Sequence, residues 1–282
     1  MKRFRYISLL TVIVASFFVL SGCTSRPSVS QLNSKIPEKV NSLHYSYDIK
    51  VAKVGDSSES ATQHMETIIR EKPKLIKSYS KDDNSRAIWA DSTNMYLKQD
   101  KTWYSFPTSA YSALIKSMSF PVYRRVNMFP KEVANKMKLK ENSNSYVLTR
   151  KLNKKNDPHD LNVLLNSVAT EASLNIDRDN LSKDANSLAE NGIHVKSAEI
   201  KEDFSKSGQL TSTSYKLKGK RNVDGEGVNF TFTITKDHFN QYSNFKIPQS
   251  IINNAQRPTS SLLDQMDKLN ESIGDVLSDN DN

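Results

Sequence analysis

The chain has 282 residues, 40 Lys+Arg against 31 Asp+Glu, a formal charge of +9 and a single cysteine. One Cys excludes an intrachain disulfide framework and any zinc site built on several thiolates, and eight glycines leave little room for phosphate-cradling loops. With 37% hydrophobic and 25% charged residues, the length allows one large domain or two small ones with a sizeable core.

Residues 1–22 read as an export signal rather than part of the fold. Lys2, Arg3 and Arg5 supply a basic start, and residues 6–20 carry no charge. That run is short for a helix across a bilayer and ends in small residues. Its end, Leu20-Ser21-Gly22-Cys23, resembles the lipobox of bacterial lipoproteins. The resemblance implies a diacylglyceryl group on the Cys23 thiol, cleavage between Gly22 and Cys23, and acyl chains such as palmitate holding the protein on the outside of the bacterial cell membrane. A thiolate is the nucleophile that forms such a thioether, and two acyl chains give a stable anchor where one does not. An ordinary signal peptide with an incidental Cys is the alternative.

Removing the signal takes away three basic residues and leaves +6, a dispersed charge. The densest basic pieces, 150–155 and 216–221, are short. Lys216, Lys218 and Lys220 alternate onto one strand face, read here as solvated. Nucleic acid is not an expected partner of an exported protein; anionic head groups or wall polymers fit better.

Residues 23–31 form a lipidated N-terminus and tether, followed by a helical stretch over 29–41 interrupted by Pro37. From Leu43 the period changes to two: Leu43, Tyr45, Tyr47, Ile49 and Val51 alternate with polar residues, the pattern of a half-buried strand. Residues 55–60 are turn-rich, and strands follow at 61–70, 74–80, 86–90, 94–98 and 102–106, an antiparallel meander. Thr108 is placed to cap a helix carrying Tyr111, Leu114, Ile115 and Met118 on one face. A short helix starts at Pro130, and 145–151 returns to strand. Asp157-Pro158 opens a helix with apolar face Leu161, Leu164, Leu165 and Val168, and another spans 180–190 before Asn191-Gly192. Strands resume at 193–204, 209–218, 228–236 and 242–246; in the third, Val228, Phe230, Phe232 and Ile234 share one face. The order strands, helices, strands gives an α+β fold with a large antiparallel sheet and helices on one side.

Three segments carry a further resemblance: Tyr45-Ser46-Tyr47-Asp48, the run from Met95 through Trp103-Tyr104, and Tyr242-Ser243-Asn244-Phe245-Lys246-Ile247-Pro248. Together they are similar to the LolA/LppX-like lipoprotein-carrier superfamily, over residues 32–256. The resemblance implies an incomplete antiparallel barrel, its concave side covered by helices, around an apolar cavity that in relatives holds acyl chains. No ligand residue is carried over. The carriers themselves are not acylated, and here this chain departs from them.

Beyond Pro258, Leu262, Met266, Leu269, Ile273 and Val276 recur at heptad spacing in an amphipathic helix over 260–277, ahead of a tail expected to be disordered. The helix docks either on its own sheet or on a protein partner. The histidines His44, His64, His159, His194 and His238 form no His-Glu-x-x-His pair, and pairing Ala61 with Val54 in the first hairpin puts His64 opposite Val51, far from His44, so that they are expected as separate surface residues. Neither a metal, a cofactor nor a catalytic residue is expected. The function expected is a membrane-anchored, non-catalytic binding module for a lipid or other apolar ligand; the alternative is an envelope protein-interaction lipoprotein.

Overall fold

The computed structural model describes residues 26–83, 85–115, 118, 126, 129–172, 193–223 and 226–278. Gly22 and Cys23, the signal peptide and the helix expected over 180–190 lie outside the described residues. The strands are β1 (Ser42–Lys53), β2 (Asp56–Arg70), β3 (Leu75–Ser80), β4 (Arg86–Asp91), β5 (Asn94–Gln99), β6 (Thr102–Pro107), β7 (Lys138–Glu141), β8 (Ser145–Asn153), β9 (Ile193–Ser205), β10 (Leu210–Val223) and β11 (Glu226–Asp237). They form one antiparallel sheet in the order β6-β5-β4-β3-β2-β1-β11-β10-β9-β8-β7. The first and last strands pair through β1 and β11, so the two strand blocks join into one sheet, open at β6 and β7 like an incomplete barrel.

The alternation read in β1 decides what each face does. Leu43 and Tyr45 point into the main core, where they meet Ile69 of β2, Ile76 of β3 and Phe204 of β9. Helices α1 (Val29–Asn33), α2 (Lys131–Ala134), α3 (Pro158–Ala172) and α5 (Ser260–Ser278) cover this inner face with Leu32, Val133, Leu161, Leu164, Leu165, Leu262 and Met266. The side chain of Val168 lies outside the described set. Asp160, in the first turn of α3, accepts from Lys136 and Arg150, which ties the helix to β8 and to the segment after α2.

On the outer face a smaller cluster forms from Leu75, Trp89 and Tyr96, with Trp103 packed against it. The chain after β11 covers it with Phe245, Ile247 and, from α4 (Gln249–Asn254), Ile251. Phe245 stacks on Trp89 with ring centroids 4.9 Å apart. Arg70 holds this segment by donating to the carbonyls of Tyr242 (3.3 Å) and Ser243 (2.6 Å). Residues 242–246 are therefore not the strand expected: their aromatic side chains serve a packing surface, and their carbonyls bond a guanidinium instead of a ladder. Gln256 then bonds the edge strand β6 through Trp103 and Ser105, which shields that edge from further pairing.

Further differences from the sequence expectation have local causes. The first helix stops at Asn33 instead of continuing towards residue 41. The segment at Thr108 begins as a 3-10 turn after Pro107, and Thr108 spends its hydroxyl on the carbonyl of Asp91 instead of capping a helix. Strand β7 carries mostly exposed, Lys-rich positions and shows no alternation to read. The C-terminal helix docks on its own chain: the Tyr111 hydroxyl donates to Asp267, and Asn270 bonds the backbone of Leu114 and Ala110. Leu269 departs from the buried seam, 46% exposed. Among the described residues no helix is long and apolar enough to cross a membrane.

Candidate functional site

The inner face carries two features that plain core packing does not need. The first is a polar line across six strands. In register, Glu202, Thr213, Lys236, Tyr45, Thr67 and Ser78 stand side by side from β9 to β3. Thr67 and Ser78 share a hydroxyl hydrogen bond of 3.0 Å, and Tyr45 bonds Thr67. At the other end Glu202 is fully buried, and neither of its carboxylate oxygens has a hydrogen-bond partner; the Thr213 hydroxyl has none either. Burial pushes the Glu202 carboxyl up to about 7, because an ionised carboxylate is poorly solvated there. The residue was legible in sequence as the one charged member of the inward series Ala198, Ile200, Glu202, Phe204.

The second feature is an apolar lip on the long central strands. Tyr47 pairs with Ile234, Ile49 with Phe232 and Val51 with Phe230, all on the inner face and all only half-buried. Gly219 of β10 sits opposite Phe230, and a Cβ there would come within 2.7 Å of the Phe230 ring and 2.3 Å of the His194 carbonyl. The ring lies over the glycine because that position has no side chain.

The outer face holds a charge network that the expected hairpin register concealed. The turn is only Val54-Gly55, with Gly55 at φ +91°, and a register shift lies just before it, between Ala52 and Lys53. Val51 consequently pairs with Ala61 and Asp48 with His64, which puts His44, His64 and Glu66 on one face instead of apart. His44 contacts Glu66 through Nε2 and Asp237 through Nδ1 (2.7 Å); His64 contacts Asp48 through Nδ1 and Glu66 through Nε2 (2.9 Å). Lys81 pairs with the same carboxylate, and Asp237 also meets His238.

A carboxylate on each ring nitrogen favours the protonated form of His44 and His64. Burial opposes the charge on His44, but its bonds to Asp237 and Glu66 prevail and raise it; the bond to Glu66 is the main cause for His64. Burial likewise opposes ionisation of Glu66, yet hydrogen bonds from Lys81, His64 and His44 bring its carboxyl down to about 2. His159 and His194 stand apart from this group, exposed. Lys216 and Lys218 are exposed as expected, whereas Lys220, beyond a register shift at Lys218/Gly219, is half-buried.

A family described as a family of unknown function, DUF6612, matches residues 34–256. No curated protein matches the chain. Among solved structures, the lipoprotein LppX of Mycobacterium tuberculosis is similar at 10% identity and a TM-score of 0.31, over 73% of this chain and 90% of that one. A LolA-superfamily protein from Nitrosomonas europaea is similar at 10% identity and a TM-score of 0.24, over 80% and 97%.

Proposed function

The chain belongs to the family of unknown function DUF6612, and from that premise we propose an extracytoplasmic lipoprotein, anchored through acyl chains on Cys23, whose open sheet binds a lipid or other amphipathic molecule without catalysis. The observation that carries this proposal is the half-buried apolar lip of Tyr47, Ile49, Val51, Phe230, Phe232 and Ile234 on the inner face. Fully burying such a side chain is worth about 1.5–3 kcal/mol, so several left half-covered make a surface that gains by taking up an apolar molecule. The polar line deeper on the same face offers hydrogen-bonding groups to the ligand's polar end, with Glu202 and Thr213 unpartnered.

The test is native purification from membranes followed by solvent extraction and mass spectrometry of released lipid. Wild type is expected to carry lipid, and Phe232→Asp to lose most of it; wild type without lipid would sink the binding proposal. Anchoring has its own test. Cys23→Ser is expected to abolish processing and membrane attachment, and a variant as processed and as membrane-bound as wild type overturns it.

A protein-interaction role draws on Leu263 and Leu269, exposed on the docked helix α5. Loss of a cross-linked envelope partner on Leu269→Asp, with lipid content unchanged, favours that alternative.

A further inference from the structure

Where β11 ends on the outer face, three donor groups converge. The Nδ1 atoms of His44 and His238 each lie 2.7 Å from the same oxygen of Asp237. One donor atom from each residue lies within 4.8 Å of the other two. We propose that His44, Asp237 and His238 bind a divalent metal ion of the zinc class, with Glu66 orienting His44 from behind.

The donor chemistry selects the metal. Two imidazoles and one carboxylate suit zinc and its first-row neighbours, whereas magnesium and calcium take oxygen donors. Bonds of about 2.0–2.2 Å around a tetrahedral ion keep donor atoms about 3.4 Å apart, so each imidazole nitrogen needs to draw back from the Asp237 oxygen by less than about 1 Å. The exposed ring of His238 leaves room for that movement. Three protein ligands also leave a fourth position, towards solvent, for water.

Two features of the surroundings support the assignment. His44 turns its other nitrogen to Glu66, the carboxylate–histidine arrangement that fixes ring orientation behind a metal. Glu66 is itself held by Lys81 and His64. In addition, His238 has a left-handed backbone, φ +51°, and Asn240 follows at φ +60°. The turn is pinned on both sides: the Asn240 amide donates to the Ser42 carbonyl at 2.8 Å, the Asn41 amide donates to the Asn240 side chain at 2.7 Å, and Phe239 packs on the main core. A non-glycine residue persists in this region where its surroundings hold it, and here they aim an imidazole at Asp237. The other trio of suitable groups, Glu132, His159 and Asp160, fits less well, because Asp160 already pairs with two cations, Lys136 and Arg150.

The test is calorimetric titration of zinc chloride into the full chain in detergent at pH 7.5, after treatment with a chelator. Wild type is expected to bind one zinc ion. His238→Ala is expected to weaken binding by at least about tenfold, and Glu66→Gln by about 10–100-fold; His159→Ala should bind like wild type. Cobalt should give the intense visible absorption of a tetrahedral site in wild type and lose it in His238→Ala. His238 is exposed, so its removal leaves the fold intact, which thermal unfolding verifies. No saturable zinc uptake by wild type overturns the proposal, as does wild-type affinity in His238→Ala or loss of binding in His159→Ala.

Discussion

Two buried glutamates on opposite faces of one sheet behave in opposite ways. Glu66, 5% exposed on the outer face, is ringed by Lys81, His64 and His44 and is held ionised, its carboxyl near 2. Glu202, 0% exposed on the inner face beside Thr213, has no hydrogen-bond partner on either carboxylate oxygen, and its carboxyl rises to about 7. Depth alone does not set the charge state of a carboxylate. Whether neighbouring strands bring hydrogen-bond donors to its oxygens does, and they do so for Glu66 and not for Glu202.

The largest expected break in this comparison comes from the inner face. Phe204→Ala removes a fully buried ring from the core and is expected to cost about 3–5 kcal/mol in denaturant unfolding. No outer-face charge substitution should match it.

Next is the pH response of Glu202. Its folded-state value, near 7, lies above the unfolded 4.5, so between these limits the folded chain binds the extra proton. Stability from this group is therefore full below about pH 4.5 and lost as pH rises through about 7, a change of about 3 kcal/mol. Glu202→Gln should flatten the stability curve relative to wild type across that window; parallel curves would show that the carboxylate is ionised in the fold.

A smaller effect is expected for Glu66→Ala. It leaves His44 and His64 with one carboxylate each and should cost about 2 kcal/mol at pH 6. A double-mutant cycle with His44→Ala should show coupling, and additivity of the two would mean that the pair acts independently. Lys151→Ala is expected to leave the unfolding midpoint unchanged, because its contact with Glu199 is 3.9 Å long and exposed at both ends.

Much of the sheet could be read from local pattern. The alternation Leu43 to Val51 and the series Val228 to Ile234 identify β1 and β11 and their inner faces, and the polar punctuation between 80 and 107 brackets β4 to β6 closely. The segment 242–246 misled, because an aromatic-rich stretch reads as strand whether it joins a ladder or packs on Trp89. The histidine network was hidden for a different reason. A three-residue error in hairpin register moves His64 opposite Val51 instead of Asp48, and only the short Val54-Gly55 turn with its bulge fixes the true partner.

What the sequence by itself determined is whatever a short stretch of chain can encode: the period-two faces of the main strands and the polar turns between β4, β5 and β6. Tertiary structure decided which residues meet. Asp237 and His238 lie 193 or more residues beyond His44, and no local periodicity relates them. The pairing of β1 with β11 brings them within hydrogen-bond distance, because joining the two strand blocks buries their apolar faces in a single core.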